Sequence, residues 1–161
     1  MINFYISYFY QIRNMTSNVL PVSTAMYDPK WFHNGKGDGY RYMDKNNVIN
    51  GVRMNELCME AYRYEKLIKS GVDCGTTCPG LEGCQFMKEY SECIRSKNPD
   101  FKKFITFCEG YIQFLNQRLN LCLDTIVFIV HEAPDRLCGE RPVLKQWFEE
   151  NGLELKEWSN V

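Results

Sequence analysis

Two groups of residues in this chain have the side chains and the spacing to do chemistry. The first is His131, Glu132, Cys138 and Arg141, within IVFIVHEAPDRLCGERPVLKQWFEE at 126–150. A thiol near a helix start and an arginine can be partly ionised at neutral pH. Cys138 would then be a nucleophile, with Glu132 or His131 handling protons, and the chain a cysteine-dependent enzyme. No base is visibly paired with the thiol, which such catalysis normally needs. Arg141 could instead grip a phosphate or carboxylate in two-point fashion. A purely structural use also fits: Cys138 as a small buried residue, with Glu132 and Arg141 paired to fix the loop.

The second group is Cys74, Cys78, Cys84 and Cys93, separated by three, five and eight residues in a stretch rich in Gly, Pro and Asp. Four thiolates can close a tetrahedral structural zinc site, and three can do so with another ligand such as His33. This is not the paired short spacing of zinc ribbons, and free thiols in a loop are the competing reading. The pattern suits an iron–sulfur cluster less well.

The flanking sequence predicts what positions the first group. Ile126–Val130 is an unbroken β-branched and aromatic run, suited to a strand buried on both faces of a parallel sheet. Pro134 blocks further pairing, and Val143, Leu144, Trp147 and Phe148 then fall at helical spacing up to the stop Asn151-Gly152. Open α/β sheets bind ligands where a strand ends and a helix begins, and a helix start favours an anion. Val19–Thr24 reads as another strand, with Pro21 arguing for an edge. Ser23 and Thr24 would lie at its carboxyl end, beside that of 126–130 if the two strands pair; capping local backbone is their other use.

Between them runs an aromatic and glycine-rich loop, 26–50, with Trp31, Phe32, Tyr40 and Tyr42 interleaved with Lys30, Lys36 and Arg41. Such a mixture can stack on a base and neutralise phosphate, or form a flap packed on the sheet by Trp31 and Phe32. Its GKGDG lacks the remaining residues of a Walker loop. Ile2–Ser7 reads as the first strand, and 8–18 as a polar connection. Helices are expected over 50–70, 85–96 and 101–120, the last capped by Asp100 and packing Phe104, Phe107, Cys108, Tyr111, Ile112, Leu115 and Leu119 on the sheet. Leu153–Trp158 alternates like an edge strand. These elements predict one α/β domain over 1–161: a small three-layer sandwich, with about four mostly parallel strands flanked by helices and a cysteine-rich insert at 71–93.

With 45% hydrophobic and 24% charged residues the chain has ordinary globular composition. A formal net charge of -1 does not indicate a general nucleic-acid footprint, while local basic clusters could still bind phosphates. No apolar run reaches membrane-spanning length. The opening MINFYISYFY has neither a basic leader nor a small-residue cleavage site, so a cytoplasmic protein is expected. There its eight cysteines would be thiols or metal ligands, not disulfides.

ISYFYQIRN with VLPVSTAMYDPKWF near the start, and IVFIVHEAPDRLCGERPVLKQWF near the end, resemble the opening and closing signatures of the domain of unknown function 488 family. CPGLEGCQFMKEY is similar to members carrying an insert before the last long helix. The resemblance implies a small three-layer α/β sandwich and marks Ser23, Trp31, Glu132, Cys138 and Arg141. The chain departs from the common pattern by placing Gly139-Glu140, not a single histidine, between the cysteine and the arginine.

The functional expectation is a protein binding a nucleotide-like or phosphorylated small molecule through Ser23, Thr24, Trp31, Arg41, His131, Glu132, Cys138 and Arg141. One form of it is sequestration of a signalling nucleotide without turnover. The alternatives are the Cys138 enzyme and a zinc-stabilised interaction module, and homo-oligomerisation is compatible with each.

Overall fold

A computed structural model describes residues 1–33, 51–69, 78–135 and 138–159. Among these described residues, five strands form one all-parallel sheet: β1 (Asn3–Tyr8), β2 (Val19–Ser23), β3 (Val52–Arg53), β4 (Thr125–Val130) and β5 (Lys156–Glu157), in the order β3-β2-β4-β1-β5. The described residues also form four α-helices: α1 (Ala61–Lys69), α2 (Gln85–Lys97), α3 (Phe101–Leu119) and α4 (Glu140–Glu150).

β4 pairs on both sides, Phe4↔Ile126 with β1 and Leu20↔Ile126 with β2, and all six of its residues are buried. Its alternate side chains divide between two cores. Ile126, Phe128 and Val130 face the larger core with Leu144, Trp147 and Phe148 of α4, Phe104 of α3 and Tyr90 of α2. Val127 and Ile129 face a smaller core with Phe9, Ile12 and Phe32. These last come from two 3-10 turns, Phe9–Asn14 and Lys30–His33. The layers are therefore α-helices, sheet and 3-10 turns.

Several expectations need correcting. Position 52 lies in a strand and not in a helix begun at 50. Val52 pairs with Val22, the Met54 N–H donates to Ser23 O at 3.2 Å, and a 3-10 turn at Asn55–Leu57 delays α1 to Ala61. Sheet-edge hydrogen bonds thus win over a loosely helical apolar pattern. β3 is the fifth strand, and it makes β2 internal. Pro21 is tolerated because β3 pairs only with Val22 and Ser23. In α3, Asp100 caps as expected, accepting from the N–H groups of Lys102 and Lys103. Phe107, however, faces away from the sheet and is 50% exposed. The last strand is shorter than expected, Lys156–Glu157, and lies at the sheet edge. Among the described residues no helix is long and apolar enough to cross a membrane.

Candidate functional site

Because every strand runs the same way, β1, β2 and β4 end at one edge of the sheet. Their last residues Tyr8, Ser23 and Val130 lead into 9–14, 24–28 and 131–135. The 24–28 and 131–135 segments are tied together. Thr24 donates both its N–H (3.0 Å) and its hydroxyl (3.1 Å) to Ile129 O, and His131 Nε2 lies 2.6 Å from Tyr27 O. The His131 ring also lies against Phe9, with centroids 4.9 Å apart. Tyr10, Tyr27 and His131 stay exposed at this rim. Tyr10 stacks on Tyr8 and lies beneath the Arg13 guanidinium, 4.3 Å from its centroid.

The expected ligand groups are largely used internally. The Ser23 hydroxyl donates to Asp28 and accepts from the Ala25 N–H. Trp31 packs edge-on against Phe9 and Phe32 in the smaller core. Arg141, expected to grip a phosphate or carboxylate, is 4% exposed and turned into the protein. Its Nη1 donates to Glu132 O (2.7 Å) and Ala133 O (3.1 Å), and its Nε lies 2.5 Å from Glu157 Oε1. The arginine thus fastens the loop to β5. Arg41 and Cys74 lie outside the described residues.

Glu132 and Glu140 form an acidic pair beneath this loop. Gly139 lets the Glu132 carboxylate lie against the backbone at the start of α4: a Cβ there would fall 2.5 Å from Glu132 Cδ, and φ is +135°. Burial, and then the Glu132 carboxylate, push the Glu140 carboxyl well above its ordinary range. Oε2 of each glutamate is buried and has no hydrogen-bond partner among the described residues.

Cys138 belongs to a different constellation from the one expected. With Cys78 and Cys84 it forms a group whose sulfurs all lie within 4.8 Å of one another, and which could hold a metal ion. Cys84 Sγ and Cys138 Sγ are 3.6 Å apart. Burial and the adjoining thiols push the Cys138 thiol upward, opposite to the shift a nucleophile needs. Cys93 is not part of the group. It lies on α2 well past Cys84, and its thiol contacts Cys58 O (3.6 Å) and Glu60 Oε2 (3.9 Å). Sequence spacing selected Cys93 because it counts neighbours along the chain, whereas the third thiol arrives from the far side of β4.

Compared with protein-family models, curated proteins and solved structures, the chain matches none. The residues that sequence reasoning left out are Tyr8, Tyr10, Tyr27 and Glu140. Their placement at strand ends was the available signal for the tyrosines. Glu140 was hidden by its reading as a residue between Cys138 and Arg141.

Proposed function

We propose that this protein binds a small ring-bearing molecule of nucleotide-like chemistry at the carboxyl edge of its sheet. The observation that carries the reading is the convergence of strand ends that sets His131 against Tyr27 O and the Phe9 ring. Exposed Tyr27 adds a π-face to the same rim. Aromatic faces suit a base or a sugar, and base–aromatic stacking contributes about 1–3 kcal/mol per base. The internal commitments of Arg141 and Arg53 shift the weight of recognition from phosphate to the ring. Arg53 donates to Ala25 O and pairs with Asp28. Binding without turnover is favoured over cysteine catalysis, because Cys138 is held toward its neutral form.

The test is titration with adenosine, guanosine, their monophosphates, a cyclic dinucleotide and ribose 5-phosphate, followed by two-dimensional NMR. Saturable shifts centred on 8–13, 24–28 and 131–133 are expected for base-bearing ligands. Tyr27→Ala should weaken binding by about 5-fold to 100-fold, the loss of one stacking partner. No saturable shift with any base-bearing ligand, or tighter binding of ribose 5-phosphate than of the nucleosides, would sink the reading.

A further inference from the structure

The chain brings three cysteines together from two distant places. Cys78 and Cys84 bracket a short turn in which Gly83 N–H and Cys84 N–H both donate to Gly80 O, at 3.2 and 2.9 Å. Cys78-Pro79-Gly80 bends sharply, with Gly80 at φ +90°, and aims the Gly80 N–H at Cys78 Sγ, 3.5 Å away. A backbone N–H directed at sulfur favours the thiolate a metal needs. Cys84 is the N-cap of α2, and Cys138 immediately precedes Gly139, the N-cap of α4. Two helix N-termini therefore adjoin the thiols, and their dipoles stabilise negative sulfur.

The spacing of the sulfurs also fits. Zinc–sulfur bonds of ~2.3 Å in a tetrahedron place sulfurs about 3.8 Å apart. The Cys84–Cys138 separation is 3.6 Å, and all three sulfurs fall within 4.8 Å of each other. A disulfide would need about 2.05 Å. Cys78 and Cys84 are buried, while Cys138 is at the partly exposed side of the group. This leaves an approach for an ion.

We propose that Cys78, Cys84 and Cys138 bind one zinc ion. The three thiolates fill three of its four positions, and the fourth falls to a donor outside this group. The ion would pin the start of α2 to the loop that ends β4, and so hold the carboxyl edge of the sheet in place. This site shares no residue with the ring-binding rim, and its test is separate.

The experiment is metal analysis of the purified full chain, followed by stripping and titration with zinc and with cobalt(II). On the order of one ion per chain is expected, with a sulfur-to-cobalt charge-transfer band. Cys138→Ser, Cys84→Ser and Cys78→Ser should each lower zinc affinity by more than about 10-fold. Cys93→Ser should leave it unchanged. Cys138 is partly exposed, so its substitution leaves the core filled. The wild-type cobalt spectrum reads thiolate ligation even if a variant does not fold. Failure to bind zinc, a cobalt spectrum without thiolate bands, or a site that survives Cys138→Ser and is lost in Cys93→Ser would overturn the assignment.

Discussion

Cys84 Sγ and Cys138 Sγ lie 3.6 Å apart although 54 positions separate them in the chain. The contact joins the N-terminus of α2 to the loop before α4, and it decides how Cys138 should behave. A thiol next to other thiols and half-removed from water is harder to ionise than an isolated one. Burial and the neighbouring Cys84 and Cys78 thiols hold Cys138 toward its neutral form.

Cys138 should therefore react slowly. With iodoacetamide at neutral pH, exposed Cys122 should label first, and Cys138 should lag by about 10-fold or more. Peptide mass spectrometry over a time course measures both. Cys138 labelling ahead of Cys122 would restore the case for a nucleophile.

Gly139 and Gly152 both have positive φ, +135° and +84°, but different surroundings. A Cβ at Gly152 meets nothing within 4 Å, whereas one at Gly139 lands on the Glu132 carboxylate. Gly152→Ala should cost about 1–2 kcal/mol for the backbone alone. Gly139→Ala should cost more, by a further ~1–3 kcal/mol, because the carboxylate must move. Urea denaturation of both variants tests the order, and equal losses would mean that the Glu132 carboxylate does not press on Gly139.

The sheet was the most legible part of the fold, for a physical reason. Ile126–Val130 is apolar at every position, a pattern that only burial on both faces explains, and β4 lies between β1 and β2. Asp100 was legible as a cap because it precedes a helix directly after Asn98-Pro99. What could not be read were long-range choices. Whether 52–53 pairs with a strand depends on β2 offering an open edge, and whether Arg141 faces a ligand depends on where Glu157 lies. Cys93 and Cys138 differ in the same way, since local spacing favours one and the return of the chain through β4 delivers the other.

Arg141 should matter for stability more than its partly exposed partner Glu157 does. Removing it leaves Glu132 O and Ala133 O without their donor and Glu157 without its closest cation. Arg141→Met should cost about 3 kcal/mol, the scale for breaking a buried charged network. Glu157→Gln should cost about 1 kcal/mol or less, because that side chain is 29% exposed and screened. Arg141→Lys should recover only part, since one ammonium cannot serve two carbonyls and a carboxylate in the guanidinium's geometry. Denaturation midpoints give the values. A stable Arg141→Met with impaired ligand binding would return this residue to the ligand.

Alkaline pH should weaken the fold through two core thiols. Burial pushes Cys58 and Cys108 up to about 12, from an ordinary 9.0. Above pH 9 the unfolded chain releases these protons while the folded chain keeps them, so stability falls as pH rises toward 12. Below that window both states hold the protons, and these groups give no slope. Cys108→Ala should reduce the slope by up to about 1.4 kcal/mol per pH unit. Urea midpoints between roughly pH 8 and 11 measure it, and an unaltered slope in the variant would show that Cys108 ionises in the folded state.

The face that α3 turns to the core can be tested by comparing its aromatic residues. Phe104 is 4% exposed and packs against Phe101, Phe128 and Trp147, with centroids 6.3, 6.3 and 5.1 Å away. Phe107 and Phe114 are 50% and 51% exposed, and each stacks on half-buried Tyr111. Removing a buried phenylalanine loses both its transfer free energy and its packing, so Phe104→Ala should cost about 3–5 kcal/mol. The outer two rings keep much of their surface in water in the folded state. Phe107→Ala and Phe114→Ala should each cost about 1 kcal/mol or less, mainly the stacking contribution. Chemical denaturation of the three variants measures the contrast. A Phe107→Ala loss as large as that of Phe104→Ala would mean that α3 is rotated, with position 107 directed at the sheet as its helical spacing first suggests.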